Sequence, residues 1–263
     1  MKRYYALITG ASQGLGKAMA IEMAKQQNNL ILVSLPNSGQ EELSEFLTKN
    51  FNIDVHHLEL DLSDVTNYDK ILEYIDKNKL QLKYLINNAG ILSRGSFDSL
   101  SSEFMLKQIE VNVVAPTLLI KLFLKNLRNN SPSGILNVSS LAGYFPLIHK
   151  QVYCGTKSYL LSFSKSLRKE LKQDQISVTA VCPGGLNTTT RLCYQNRILG
   201  WIARASVLTP EEAAIKAING MLHKEEVVIP GFINKCLLII DKILPQFIKD
   251  YLTEQEIRKF KPI

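Results

Sequence analysis

Thr9-Gly10-Ala11-Ser12-Gln13-Gly14-Leu15-Gly16 decides how this chain is read. An apolar run, residues 5–9, leads into it, and a stretch of helical period, residues 15–27, follows. Glycines let a backbone turn sharply and approach a ligand closely, and the first turn of a helix presents unpaired N–H groups. Strand, glycine-rich turn and helix in that order suit a bound phosphate or pyrophosphate. The spacing is TGxxxGxG rather than the common GxGxxG, and an ordinary glycine-rich turn has the same local composition.

The rest of the chain repeats the alternation. Apolar runs at 5–9, 30–34, 55–60, 84–87, 134–139, 177–182 and 227–229 read as strands. Most are apolar throughout, as strands covered on both faces should be. Helical periods fill the gaps near 15–27, 40–50, 65–78, 102–128, 153–173 and 210–222. This pattern predicts an α/β fold, a doubly wound parallel sheet of about seven strands with helices on both faces. It occupies one domain, residues 1 to about 230. Residues 231–263 form an extension with its own helical period, which Pro245 should kink or end. Packing of that helix on the domain is the first expectation, with a cover over the substrate entrance, a subunit partner or a membrane surface as the others; Asp241 and Asp250 weaken the cationic face that a surface helix needs.

Composition narrows the function. With 263 residues, 46% of them hydrophobic and 21% charged, the chain can bury a core without staples, which excludes a disordered chain and a disulfide-rich module. Four cysteines without a CxxC pair fit a reduced, cytoplasmic protein. The histidines, at 56, 57, 149 and 223, are not clustered for a metal, so none is expected. The net charge of +7 is spread rather than gathered into a run, so a solvated basic surface is favoured over nucleic-acid binding. No secretory leader and no membrane-length apolar stretch is read.

Several side chains fall where ligands bind in open α/β sheets, at the C-terminal ends of strands. Asp61 and Leu62 close the third run; the carboxylate suits an adenine amino group, or else caps the next helix. Asn87-Asn88-Ala89-Gly90 closes the fourth, either against a cofactor or as a polar turn. Ser140 follows the fifth, where a hydroxyl can steady a developing alkoxide. Pro183-Gly184, with Thr188 in the pattern PGxxxT, follows the sixth. Tyr153 and Lys157 share a helical face at i, i+4, and a neighbouring ammonium favours the phenolate, making tyrosine a usable acid or base. Asn112 lies mid-helix among apolar residues; its side chain either holds a water or a helix carbonyl that relays protons to Lys157, or is a satisfied structural amide.

Taken in order, residues 9–16, Asp61, residues 87–90, Asn112, Ser140, Tyr153, Lys157 and Pro183-Gly184 resemble the classical short-chain dehydrogenase/reductase family over residues 4 to about 230. The resemblance implies a Rossmann fold, a nicotinamide cofactor and a catalytic tetrad of Asn112, Ser140, Tyr153 and Lys157. Tyr153 would protonate the carbonyl oxygen, Ser140 orient it, Lys157 hold the nicotinamide ribose and depress the Tyr153 pKa, and Asn112 anchor a relay water. Gly10, Ser12, Gln13, Gly14, Leu15, Gly16, Ser34, Asp61, Leu62, Asn88, Ala89, Gly90, Tyr153, Lys157, Pro183, Gly184 and Thr188 would contact the cofactor. A homodimer or homotetramer is implied as well.

The end of the second strand carries no acid for a ribose 2′-hydroxyl, which argues against strict NAD use. The arginine or lysine of the family's NADP users is missing too, since Leu35 and Gln13 stand in those places. Ser34, Asn37 and Ser38 can bond a 2′-phosphate, so NADP(H) is favoured over NAD(H). Residues 187–207 and 143–149 are apolar enough to line a pocket for a hydrophobic carbonyl or alcohol, steroid-, fatty-acyl- or aliphatic ketone-like. The alternative is a nucleotide-sensing or scaffold protein that binds the cofactor without turnover.

Overall fold

The computed structural model describes residues 4–93, 95–187, 205–245 and 247–248. Seven strands form one parallel sheet: β1 (Tyr4–Thr9), β2 (Asn29–Ser34), β3 (Val55–Glu59), β4 (Gln81–Asn87), β5 (Ser133–Val138), β6 (Ile176–Val181) and β7 (Val227–Val228). Their order is β3-β2-β1-β4-β5-β6-β7. The order reverses between β1 and β4, and the crevice outside those two strand ends is where such sheets bind ligands.

The apolar runs become strands because both of their faces are covered. Ala6, Ile8, Leu30, Leu32, Leu136 and Val138 join one core with Met19 and Met23 of α1 (Gly14–Lys25), Leu43 and Leu47 of α2 (Gln40–Phe51), and Ala217 and Ile218 of α7 (Pro210–Leu222). Their alternates Tyr5, Leu7, Ile31, Val33 and Ile135 join the opposite core with Ile71 and Ile75 of α3 (Thr66–Lys77) and Leu119 and Phe123 of α5 (Ala115–Asn129). The period of two sorts each strand's side chains between the two helix layers. β3 is the exception: an edge strand, Val55-His-His-Leu-Glu59, only partly covered.

One expected helix is interrupted. Residues 102–128 form α4 (Ser102–Ile109), a π turn (Glu110–Val114) and then α5. The cause is in the sequence: an α-helical bond to the Asn112 carbonyl would come from the N–H of residue 116, which is proline and has none. A wider turn absorbs the mismatch. α6 (Gln151–Glu170) carries the Tyr153/Lys157 face.

Beyond the sheet, Gly231 at φ +88° opens α8 (Phe232–Ile243), which ends just ahead of Pro245. Asn234 and Leu238 face inward and are buried, while Phe232, Ile239 and Ile243 are exposed. Among the described residues no helix is long and apolar enough to cross a membrane.

Candidate active site

A cavity of about 610 Å³ runs along the C-terminal edge of the sheet, from the glycine loop past Tyr153 to the loop after β6. Its glycine end is built by steric exclusion. Gly10 has φ +63°, and a Cβ there would lie 2.9 Å from Ala89 Cα. A Cβ on Gly16 would lie 2.0 Å from the Gly10 carbonyl oxygen. Only glycine lets the first turn of α1 press against the loop that precedes it. Gln13, at the N-cap of α1, makes no side-chain cap, and no acid sits in the first turn. The helix therefore presents its N–H groups and positive end to the cavity, which fits a pyrophosphate.

Most of the expected cofactor contacts line this one cavity: Gly10, Ser12, Gln13, Gly14, Leu15, Gly16, Ser34, Asp61, Leu62, Asn88, Ala89, Gly90, Tyr153, Lys157, Pro183 and Gly184. Thr188 lies outside the described residues, as does most of the expected substrate region.

Some of these side chains are engaged elsewhere. The Asn88 Nδ2 donates to Thr9 O (2.9 Å) and Gly10 O (3.0 Å), so the amide braces the loop. The Ser34 hydroxyl accepts from the Ser12 N–H at 3.0 Å and also shapes the loop. Asp61 has both oxygens occupied: Oδ1 accepts from the Ser63 N–H and hydroxyl, Oδ2 from Lys107 Nζ at 2.9 Å. Partial burial raises the Asp61 pKa, but the Ser63 and Lys107 bonds outweigh it and the net direction is down. Asp61 thus closes a turn onto Ser63 rather than capping α3, which begins at Thr66, and Lys107, which sequence analysis did not single out, joins the cavity wall. Its signal was faint: one lysine on a helix 46 residues from its partner.

At the other end, Ser140 stands beside the Tyr153 hydroxyl; its Oγ accepts from the Ala142 N–H at 3.1 Å and donates to Pro183 O at 3.5 Å. Ser139, its neighbour, points away and donates to Lys157 O at 2.7 Å. Lys157 Nζ donates to Val138 O at 2.8 Å and lies 5.7 Å from the Tyr153 ring centroid. Burial with no carboxylate partner brings the Lys157 pKa down to about 8.

One expectation needs correction here. The ammonium was expected to depress the Tyr153 pKa; instead, desolvation of the hydroxyl raises it, and the neighbouring Ser140 hydroxyl offsets only part of the rise. Of the two readings of the Asn112 side chain, relay and satisfied amide, its contacts are those of the second: Oδ1 accepts from the Ile91 N–H at 2.8 Å, while Nδ2 donates to Ile91 O at 3.0 Å and Thr156 Oγ1 at 3.1 Å. It stands behind the wall as a satisfied amide. Its main-chain carbonyl is the group that Pro116 leaves without an α-helical donor.

The remaining walls are apolar. Phe145 and Leu147 come from the expected loop, Leu141 and Leu186 from the ends of β5 and β6, and Leu237 from α8. A helix over the substrate entrance was one of the readings of that last segment.

Comparison with known proteins agrees with this geometry. A family model for short chain dehydrogenases matches residues 4–196. The NADP-dependent 3-hydroxy acid dehydrogenase of Schizosaccharomyces pombe is 32% identical over 85% of this chain and 88% of its own. Estradiol 17-beta-dehydrogenase 11 of Homo sapiens is 30% identical over 91% of this chain and 79% of its own. A short-chain dehydrogenase from Sphingobium yanoikuyae, solved with NADPH, superposes with a TM-score of 0.78 at 25% identity, covering 92% of this chain and 96% of the other.

The cradle gives a direct test. Gly16→Ala places a methyl group inside the Gly10 carbonyl, so the loop has to open. A fluorescence titration should show NADPH affinity at least about tenfold weaker than in the unsubstituted protein.

Proposed function

The chain belongs to the short-chain dehydrogenase family and is an oxidoreductase, and we propose that it interconverts a carbonyl and an alcohol on a hydrophobic substrate, using NADP(H). The observation that carries this reading is the meeting of Ser140, Tyr153 and the buried Lys157 in the same cavity as the glycine loop. The fit of a nicotinamide dinucleotide rests on the glycine cradle and the uncapped start of α1. The glycine loop would hold its pyrophosphate, and Lys157 its nicotinamide ribose. When bound, the nicotinamide supplies or accepts the hydride.

The residues of the chain handle the proton. In reduction, the Tyr153 hydroxyl donates a proton to the substrate oxygen, and the Ser140 hydroxyl holds that oxygen in place. Burial keeps the tyrosine protonated before reaction, as an acid must be. Lys157 stabilises the phenolate left behind, and the Asn112 carbonyl anchors the water that returns a proton. The Leu141, Phe145, Leu147, Leu186 and Leu237 side chains favour an apolar substrate.

NADP use is supported by the end of β2, where no carboxylate awaits a 2′-hydroxyl and the buried Ser38 hydroxyl has no partner. One carboxylate reaches this loop from the neighbouring strand: Glu59 Oε1 accepts from the Asn37 N–H at 3.3 Å.

Three outcomes follow. Tyr153→Phe should lower kcat by about 10²–10⁴-fold while NADPH affinity, read by fluorescence, stays within about twofold; activity like that of the unsubstituted enzyme sinks the mechanism. Affinity for NADPH should weaken as pH rises through about 8, because Lys157 carries its charge below that pH and loses it above; Lys157→Met should flatten that profile. Finally, NADPH should bind more tightly than NADH, and Leu35→Arg should widen the gap by about tenfold through one charge-assisted bond to the 2′-phosphate. A preference for NADH in the unsubstituted enzyme overturns the cofactor assignment.

A further inference from the structure

One side chain of α8 ties the C-terminal helix to the loop after β6. Asn234 is only 1% exposed, although it is an amide. Its Nδ2 donates to Pro230 O at 2.8 Å and to Ser206 O at 3.1 Å. Its Oδ1 is buried without a hydrogen-bond partner and lies over Gly184: a Cβ at Gly184 would stand 2.6 Å from it. A Cβ at Gly231 would stand 3.0 Å from Nδ2. Asn234 thus touches three backbone segments at once.

Those segments are already linked. Leu208 N donates to Gly185 O at 3.0 Å, and Asn187 N donates to Leu208 O at 3.1 Å. The stretch from Ser206 to Leu208 therefore runs beside the Pro183-Gly184-Gly185 turn, and Asn234 closes the gap between them. Both Asn234 and Leu237 line the cavity. The family match ends at residue 196, so α8 lies beyond the matched region.

A buried acceptor without a donor carries a desolvation cost that an apolar side chain of similar size would not. Packing alone does not explain an amide here, whereas a requirement to hold backbone carbonyls on two sides does. We propose that Asn234 is a positioning residue: it fixes the Pro183-Gly184-Gly185 turn, and so sets the nicotinamide end of the pocket without touching its phosphate end. This rests on the reading that the cavity takes a nicotinamide dinucleotide.

The test compares two ligands on the full chain, NADPH and 2′-phospho-ADP-ribose, which keeps the adenine and phosphates but lacks the nicotinamide. Two variants are used. Asn234→Ala removes both donated bonds. Asn234→Ser keeps one, since a helical serine hydroxyl bonds the carbonyl four residues back, here Pro230, yet it does not reach Gly184. The serine variant thus carries the test if the alanine variant fails to fold.

Expected is a split: affinity for 2′-phospho-ADP-ribose within about twofold of the unsubstituted protein, and NADPH affinity weaker by about tenfold, as for one lost positioning contact. Equal weakening of both ligands marks a merely structural residue and overturns the proposal. So does unchanged NADPH affinity in Asn234→Ser. If the unsubstituted protein binds both ligands equally well, the nicotinamide contributes nothing to binding; the cofactor reading then fails, and this proposal fails with it. That outcome is recognisable because it appears before any substitution is made.

Discussion

The carboxamide of Asn88 holds the point on which the rest of the site depends. It stands where the strand order reverses between β1 and β4, and both of its recorded bonds go to the backbone of the glycine loop. Thr9 completes the junction from the other side: its hydroxyl accepts from the Asn88 and Ala89 N–H groups at 3.0 and 3.1 Å. Without this bridge, a loop of glycines would have many conformations and no reason to choose one. With it, the Gly10 carbonyl is fixed, Gly16 packs against it, and α1 starts where a phosphate can meet its N-terminus. A residue with the look of a ligand contact thus acts by shaping what the ligand meets.

The same segment carries the constraint onward to the chemistry. Three residues after Asn88, both backbone groups of Ile91 bond the Asn112 side chain. Asn112 in turn bonds Thr156, on the helix that carries Tyr153 and Lys157. Lys157 then reaches back to Val138 at the end of β5. The route from glycine loop to lysine runs through consecutive hydrogen bonds between the ends of adjacent elements. Gly90 is part of this compression, since a Cβ there would press on Asn112 Oδ1 at 3.3 Å and Lys157 Nζ at 3.4 Å.

What the sequence disclosed and what it hid divide along a physical line. The strands were legible because central strands must be apolar on both faces, and residues 30–34 or 134–138 are. The Tyr153/Lys157 pairing was legible because helical spacing fixes it. Relations between distant residues were not. Nothing local says that Asn234 will lie over Gly184, or that Lys107 will reach Asp61. The π turn lies between these cases. Pro116 announces that the Asn112 carbonyl will lack its usual donor, yet the helical period from 102 to 128 continues through it unbroken. The same turn sits around Asn112, whose side chain is engaged three times and whose carbonyl is denied its α-helical donor by Pro116.

Burial, rather than the lysine, sets the resting protonation of the site. The i, i+4 spacing suggested an ammonium beside a phenolate, an arrangement that lowers a tyrosine pKa. Yet desolvation works against the charged form of both groups. It raises the Tyr153 pKa and lowers that of Lys157 to about 8. The two shifts have one cause and opposite sign because the neutral form of each group is the one favoured out of water. The free enzyme therefore rests with a protonated tyrosine, the form that the proposed reduction would consume. In the proposed oxidation the same hydroxyl would first have to give up its proton.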